Sequence, residues 1–283
     1  MKIVCENQNG DQIAFGWYPP CWIASVSGLG TDYDVYTSKN SGQDGENYNG
    51  SDAKMRNIVI ALDVKKANFQ TQRNRLYAFF QPRAPGILYY YEDGEARKIA
   101  YRVEKIEPGG DDNDEVRTLT VSLICPDPKF YALDDQLTQL AIWEGLIEWP
   151  IEITEEPFEL TRKVNTLIGN VHNDSAVPMG LTVTFRASGT VVNPSLYDVN
   201  RRELMQIDTT MHAGDVIVIT TADGSKRVKL ISSGVTANIS NLMQYPPKWL
   251  KAYQGDNLYR YNSDDGIDSL SVSILSTQAY WGA

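Results

Sequence analysis

The sequence predicts a mainly β protein in two domains: an N-terminal α+β domain, a set of β-hairpins or a barrel-like sheet with one helix, followed by an antiparallel β-sandwich. Three observations predict it. Apolar and polar residues alternate with period two along most of the chain, and glycine and asparagine punctuate the runs. One stretch in the first half carries apolar residues at helical spacing. The length of 283 residues is that of two domains at about 100–200 residues each. Composition excludes other classes. The 42% hydrophobic content is too high for a disordered chain, and glycine and proline stand near average usage. With 26 basic and 36 acidic residues the net charge is −10, the wrong sign for a general nucleic-acid binder. No apolar run approaches the roughly 18 residues of a membrane helix, so no membrane partner is expected. The start MKIVCENQNG turns polar too soon for a secretory leader.

The elements follow in order. Residues 55–64 (MRNIVIALDV) read as a buried strand. Phe69, Arg73, Leu76, Tyr77 and Phe80 then fall at helical spacing, and Pro82 and Pro85-Gly86 stop that helix. Strands resume at 87–91 and 99–106, and an acidic loop around Gly109-Gly110 leads to an alternating strand at 116–125. Residues 133–160 read as an acidic connector with a short helix near Leu137–Ile147. Beyond it, Leu181, Val183, Phe185 and Ala187 alternate with polar residues, and Leu270, Val272 and Ile274 alternate with serines. The runs DVIVITT and KRVKL flank Asp223-Gly224, a hairpin signal because both residues tolerate positive φ. The expected domains are 1–132 and 161–283, with 133–160 between them.

No constellation carries chemistry. His172, Asp174 and Ser175 are sequence neighbours, which cannot normally converge as a triad; a polar turn is expected. Residues 109–115 (GGDDNDE) offer oxygen ligands without the spacing of a calcium loop. Cys5, Cys21 and Cys125 are an odd set with no paired spacing, and two histidines are too few for a zinc site. Gly28-Leu29-Gly30 lacks the strand-to-helix context of a phosphate loop. No catalytic, metal or cofactor site is expected. Aromatic residues point instead to contact surfaces. Trp17, Tyr18 and Trp22 surround Pro19-Pro20, which interrupts any regular element, and Trp143, Glu144, Glu148 and Trp149 lie in the acidic connector.

At Cys125-Pro126-Asp127-Pro128-Lys129-Phe130 an apolar strand ends in a pattern that resembles the close of the N-terminal domain in distal tail proteins of long-tailed bacteriophages and prophages. Gly28, Gly42-Gln43-Asp44-Gly45 and Arg56-Asn57-Ile58 upstream extend the resemblance, with Arg73, Leu76, Pro82, Gly86 and Leu88. Downstream, Gly189, Asn193-Pro194, Gly214-Asp215, Asp223-Gly224, Trp249-Leu250 and Gly255-Asp256-Asn257 continue it. Lys129 stands where the family often has an aromatic residue.

The resemblance implies that residues 1–132 close into a homo-oligomeric, hexameric ring and that the sandwich is galectin-like. It implies a structural, non-enzymatic hub of a tail tip or baseplate, assembled in the bacterial host cytoplasm and carried on the virion. Its partners would be the tail tube protein, a tail-tip or tail-associated protein, and receptor-binding or baseplate proteins. DNA would pass through the ring without being bound. A carbohydrate-binding adhesion protein is the alternative, because galectin-like sandwiches often bind sugars.

The acidity is local. Residues 1–132 hold 15 basic and 18 acidic residues, residues 161–283 hold 11 and 10, and the connector holds eight acids and no base. The connector is expected to meet a basic surface on a neighbouring subunit or tail protein.

Overall fold

A computed structural model describes residues 1–109, 115–145, 161–165 and 168–283. The chain divides into two compact units, Met1–Leu133 with Ala279–Ala283, and Asp134–Gln278.

The first unit runs through β1 (Lys2–Glu6), β2 (Gln12–Phe15), β3 (Cys21–Ser27), β4 (Tyr33–Ser38), β5 (Asn47–Ala53), β6 (Arg56–Lys65), α1 (Lys66–Phe79), β7 (Pro85–Glu92), β8 (Glu95–Pro108), β9 (Val116–Cys125) and β10 (Phe130–Ala132). Its main sheet has the order β2-β1-β7-β8-β9-β6-β3. Its end strands β2 and β3 share no ladder and meet only at the Gly16–Trp22 bridge, where the Ile23 N–H donates to the Gly16 carbonyl at 3.1 Å. The short β10 pairs with β8 and with the returning C-terminal strand Ala279–Tyr280. Strict alternation sets the faces. In β6, Arg56, Ile58, Ile60, Leu62 and Val64 are buried, and in β9 so are Leu119, Val121, Leu123 and Cys125.

Helix α1 has no side-chain cap and no acid in its first turn, so packing holds it. It buries Phe69 and Leu76 in the same core as those strands. Phe80, just past its end, packs at 6.4 Å from the Phe15 ring and 6.0 Å from Tyr101. The helix thus sits where the spacing predicts it. All three cysteines are buried free thiols, and burial pushes Cys125 up to about 12.

The second unit contains β11 (Gln136–Gln139), β12 (Ala141–Gly145), β13 (Thr161–Asn165), β14 (Ile168–Asn173), β15 (Met179–Ala187), β16 (Val191–Val192), β17 (Ser195–Asp198), β18 (Glu203–Gln206), β19 (Thr210–Met211), β20 (Val216–Thr220), β21 (Arg227–Ser232), β22 (Val235–Asn238), β23 (Lys251–Ala252), β24 (Gly255–Asn262) and β25 (Leu270–Ser276). One sheet has the order β11-β25-β15-β20-β21-β22, with β23 beside β15, and a second has the order β14-β24-β17-β18. Leu181, Val183, Phe185, Ile217 and Ile274 of the first share a core with Val171, Leu196, Met205, Tyr259 and Tyr261 of the second. Two antiparallel sheets enclosing one core make a β-sandwich.

One local expectation fails. The helix expected near Leu137–Ile147 is replaced by β11 and β12. The backbone of β11 pairs with β25 from Gln136↔Ser276 to Gln139↔Ser273, and Leu140 is buried behind it. Pairing with a distant strand overrides the local helical preference. The Asp223-Gly224 hairpin forms where expected: its last rung is Thr220↔Arg227, and the six residues 221–226 make the connection. The domain limits also read differently: β11, inside the expected connector, belongs to the second unit's sheet, and residues 279–283 return to the first unit.

Candidate assembly site: a hairpin arm and its arginine clasp

Strands β4 and β5 form a two-stranded ribbon paired from Tyr33↔Ala53 to Ser38↔Asn47, with a register shift after Tyr36. Every residue of β4 is exposed, and in β5 only Gly50 and Ala53 are partly covered. Exposed nonetheless are Tyr48 at 66%, Val35 at 59%, Tyr36 at 51% and Tyr33 at 46%. An isolated ribbon is marginally stable in water, and clustered exposed apolar groups mark a contact surface. We call this ribbon the arm. The family-pattern residues Gly42, Asp44 and Gly45 lie at its exposed tip, where both glycines take positive φ.

The feet of the arm are held by Arg56, which is 5% exposed. Its Nε donates to the Pro128 carbonyl at 2.9 Å. Its Nη1 donates to the carbonyls of Gly28 at 2.9 Å and Gly30 at 2.6 Å. Its Nη2 donates to Thr31 Oγ1 at 3.1 Å and to the Trp281 carbonyl at 2.6 Å. All five N–H groups of the guanidinium are therefore engaged. Its plane also lies over Phe130, 4.8 Å from the ring centroid. Burial lowers the Arg56 pKa from the ordinary arginine value, yet four carbonyl dipoles take the place of a counter-ion.

Residues 28–31 lead into β4 and Arg56 follows β5, so one side chain grips both the entry and the exit of the arm. Lys54 adds a backbone bond to Asp32 at 2.9 Å and an exposed ion pair to Asp34 at 2.7 Å. Tyr33 meets the Trp281 ring edge-on, with centroids 6.1 Å apart.

The clasp brings together Gly28, Arg56, Pro128 and Phe130, which the sequence pattern singled out separately. Cys125 stands directly opposite Arg56 in the β6–β9 register. Asp127 accepts the Lys129 N–H at 3.1 Å and the Tyr131 hydroxyl at 2.5 Å, which shapes the turn containing Pro126 and Pro128. Lys129 itself lies over Trp281, 5.9 Å from its centroid.

The other singled-out residues lie elsewhere. Trp17 is 71% exposed and Tyr18 is also exposed, whereas Trp22 is half-buried on β3 with Lys65 over its ring. Trp143 and Glu144 are on β12, opposite Lys163 and Arg162 in register. Glu148, Trp149 and most of the acidic loop after Gly109 lie outside the described residues.

In the sandwich, the singled-out residues shape turns. Asn193, at positive φ, donates to Asp264 at 2.7 Å, and the Pro194 carbonyl accepts the Ile207 N–H. Gly214 and Gly224 take positive φ. Buried Asp215 accepts the His212 N–H at 2.8 Å, and hydrogen bonds from Ser232 and that N–H hold its carboxyl below the usual range. The sequence reading missed the arm's tyrosines altogether. Their signal was a pair of tyrosine-bearing, otherwise polar segments around a Gly-Gln-Asp-Gly tip.

His172 lies between two carboxylates, Asp256 at 2.7 Å from Nδ1 and Asp174 at 3.0 Å from Nε2. Ser175 does not complete a triad: it is buried, and its hydroxyl accepts the Val177 N–H. Hydrogen bonds to Asp256 and then Asp174 raise the His172 pKa, and bonds from Asn170 and Gln278 help hold the two carboxylates low. The raised histidine stabilises the fold below the ordinary imidazole value of about 6.5, and this is lost as pH rises through the folded value. The depressed carboxylates stabilise it above their ordinary value of about 4, and this is lost as pH falls. An NMR titration should place His172 above its ordinary pKa, and Asp256→Asn should bring it down; an unchanged titration would contradict the pairing.

Residues 9–125, most of the first unit, match the family model described as the phage tail protein RIFT-related domain. The fold of the whole chain matches the SPP1 Dit protein, described as a paradigm of the hub adsorption apparatus in Gram-positive infecting phages. That match has a TM-score of 0.68 at 12% identity and covers 98% of each chain. A chain of the phage P2 baseplate in its activated conformation with Ca matches at a TM-score of 0.50 and 8% identity, covering 100% of this chain and 99% of that one. The resemblance to distal tail proteins is borne out. No curated protein matches.

Proposed function

We propose that this protein is a structural, non-enzymatic hub of a phage tail tip or baseplate. Six copies form a ring through the first unit, which joins the tail tube to the host-adhesion proteins, and DNA crosses its lumen without being bound. Assembly takes place in the bacterial cytoplasm and the product resides on the virion. The observation that carries this reading is the arm: an ordered ribbon on which Val35, Tyr36 and Tyr48 stand exposed and Tyr33 is met only edge-on by Trp281, gripped at both feet by a buried arginine. Such a feature costs solubility unless another surface covers it. The family match over residues 9–125 and the Dit-like fold over the full length support the same reading.

Size-exclusion chromatography with light scattering, run alone and with tail tube protein, tests it. The expected particle has six times the 31.7 kDa chain mass, and negative-stain images show rings. A monomer under both conditions overturns the reading.

A further inference from the structure

The first unit offers two surfaces of matching chemistry, and the arm is one of them. The other is a groove of about 310 Å³ beside the end of α1, lined by Tyr77, Phe80, Pro82, Val103 and Ile106 and by one charge of each sign, Glu104 and Lys105. The bulge between Val103 and Lys105 opens β8 at this place, and the extra residue, Glu104, is turned to Ser122 and Asn57. In its own chain the arm is exposed along its length, so it does not fill this groove.

Charge gives the second match. Residues 31–54, the arm with its feet, hold five acids and two bases, and one of those bases, Lys54, is committed to Asp34. Residues 65–84, α1 and the turn after it, hold Lys65, Lys66, Arg73, Arg75 and Arg83 and no acid. Arg75 and Arg83 are exposed and, among the described residues, form no ion pair. An acidic, tyrosine-bearing ribbon and an apolar groove beside a basic helix on the same unit are complementary between copies. A contact in which one patch meets a different patch of the next copy is head-to-tail, the type that closes into a ring. Opposite charge fixes which way the copies meet.

We infer that the arm of one copy lies in the groove beside α1 of the next, with its tyrosines against Tyr77, Phe80 and Ile106 and its carboxylates towards the basic helix and Arg83 after it. The inference rests on the hub reading and names the partner surface within it.

Two charge-reversed proteins test it by sedimentation of the full chain. One carries Asp44→Lys, Glu46→Lys and Asp52→Lys in the arm; the other carries Arg75→Glu and Arg83→Glu. All five positions are exposed, and unchanged circular dichroism checks that both proteins fold. Each alone should self-associate at least about tenfold more weakly than wild type. An equimolar mixture should recover assembly, because each basic arm then meets an acidic α1 and each acidic arm a basic one. If the wild type forms rings and either variant does so equally well, or the mixture stays as weak as its components, the arm-in-groove contact is wrong and the hub reading stands. If the wild type remains a monomer with tube protein present, both are wrong.

Discussion

Replacing Arg56 with methionine should destabilise the first unit by about 3–5 kcal/mol. Methionine retains much of the apolar stem and removes every donor. The carbonyls of Gly28, Gly30, Pro128 and Trp281 and the Thr31 hydroxyl would then lose their partner together. A buried acceptor left unpaired costs about 1–3 kcal/mol, and local relaxation with water entry keeps the total below the sum of five. Arg56→Lys should recover less than about half of the loss, because an ammonium has three donors on a point and no planar fork. Urea unfolding followed by fluorescence and circular dichroism gives the measurement, fitted with a separate transition for each unit. The sandwich transition should not move. Protease cleavage within residues 31–54 should accelerate, since the feet of the arm are released. A loss below about 1 kcal/mol would show that water replaces the guanidinium cheaply and that the arm is held by other contacts.

Most of the fold was legible because most of it obeys burial. The β6 and β9 strands alternate, α1 presents Phe69 and Leu76 two turns apart on one face, and β15 and β25 alternate against serine and threonine. Each pattern reports one buried face, which is what local sequence can encode. The arm escaped for the converse reason. Neither of its faces is buried in its own chain, so β4 and β5 show no alternation to read. Residues 136–145 misled in another way: their pairing is decided by β25 and β13, far along the chain.

The clasp was half legible. Gly28, Arg56, Pro128 and Phe130 stood out as a family pattern, but nothing local says that one guanidinium gathers them. Its partners lie from 25 to 225 positions away, the farthest being Trp281. A charged residue at the start of an apolar strand reads as a solvated end, and only the tertiary structure shows it to be 5% exposed. The short return of Ala279–Tyr280 that delivers the Trp281 carbonyl has too few residues to carry a pattern of its own.

Three glycines of that same pattern should respond to alanine by very different amounts. Gly28, Gly42 and Gly45 share nearly the same positive φ, +82°, +80° and +80°. At Gly42 and Gly45 an added Cβ meets nothing within 4 Å, so only the left-handed backbone is penalised, at about 1 kcal/mol each. At Gly28 the Cβ would stand 1.9 Å from the Asn57 carbonyl oxygen and 2.8 Å from its carbon. Asn57 belongs to β6 and is paired with Ile124 of β9, two residues beyond the last β3 rung at Ser27↔Val59, so its backbone cannot give way without disturbing the β6–β9 ladder. Gly28→Ala should therefore cost about 3 kcal/mol or more. The relief open to the chain is to move residue 28 outward, which draws its carbonyl away from Arg56 Nη1. Gly28→Ala and Arg56→Met thus damage one structure by two routes, and the double variant should lose far less than the sum of the single losses. A thermodynamic cycle over the four proteins measures that coupling. Strict additivity would mean that Gly28 serves only its own turn, while strong coupling would show that the glycine is required so that the clasp can close.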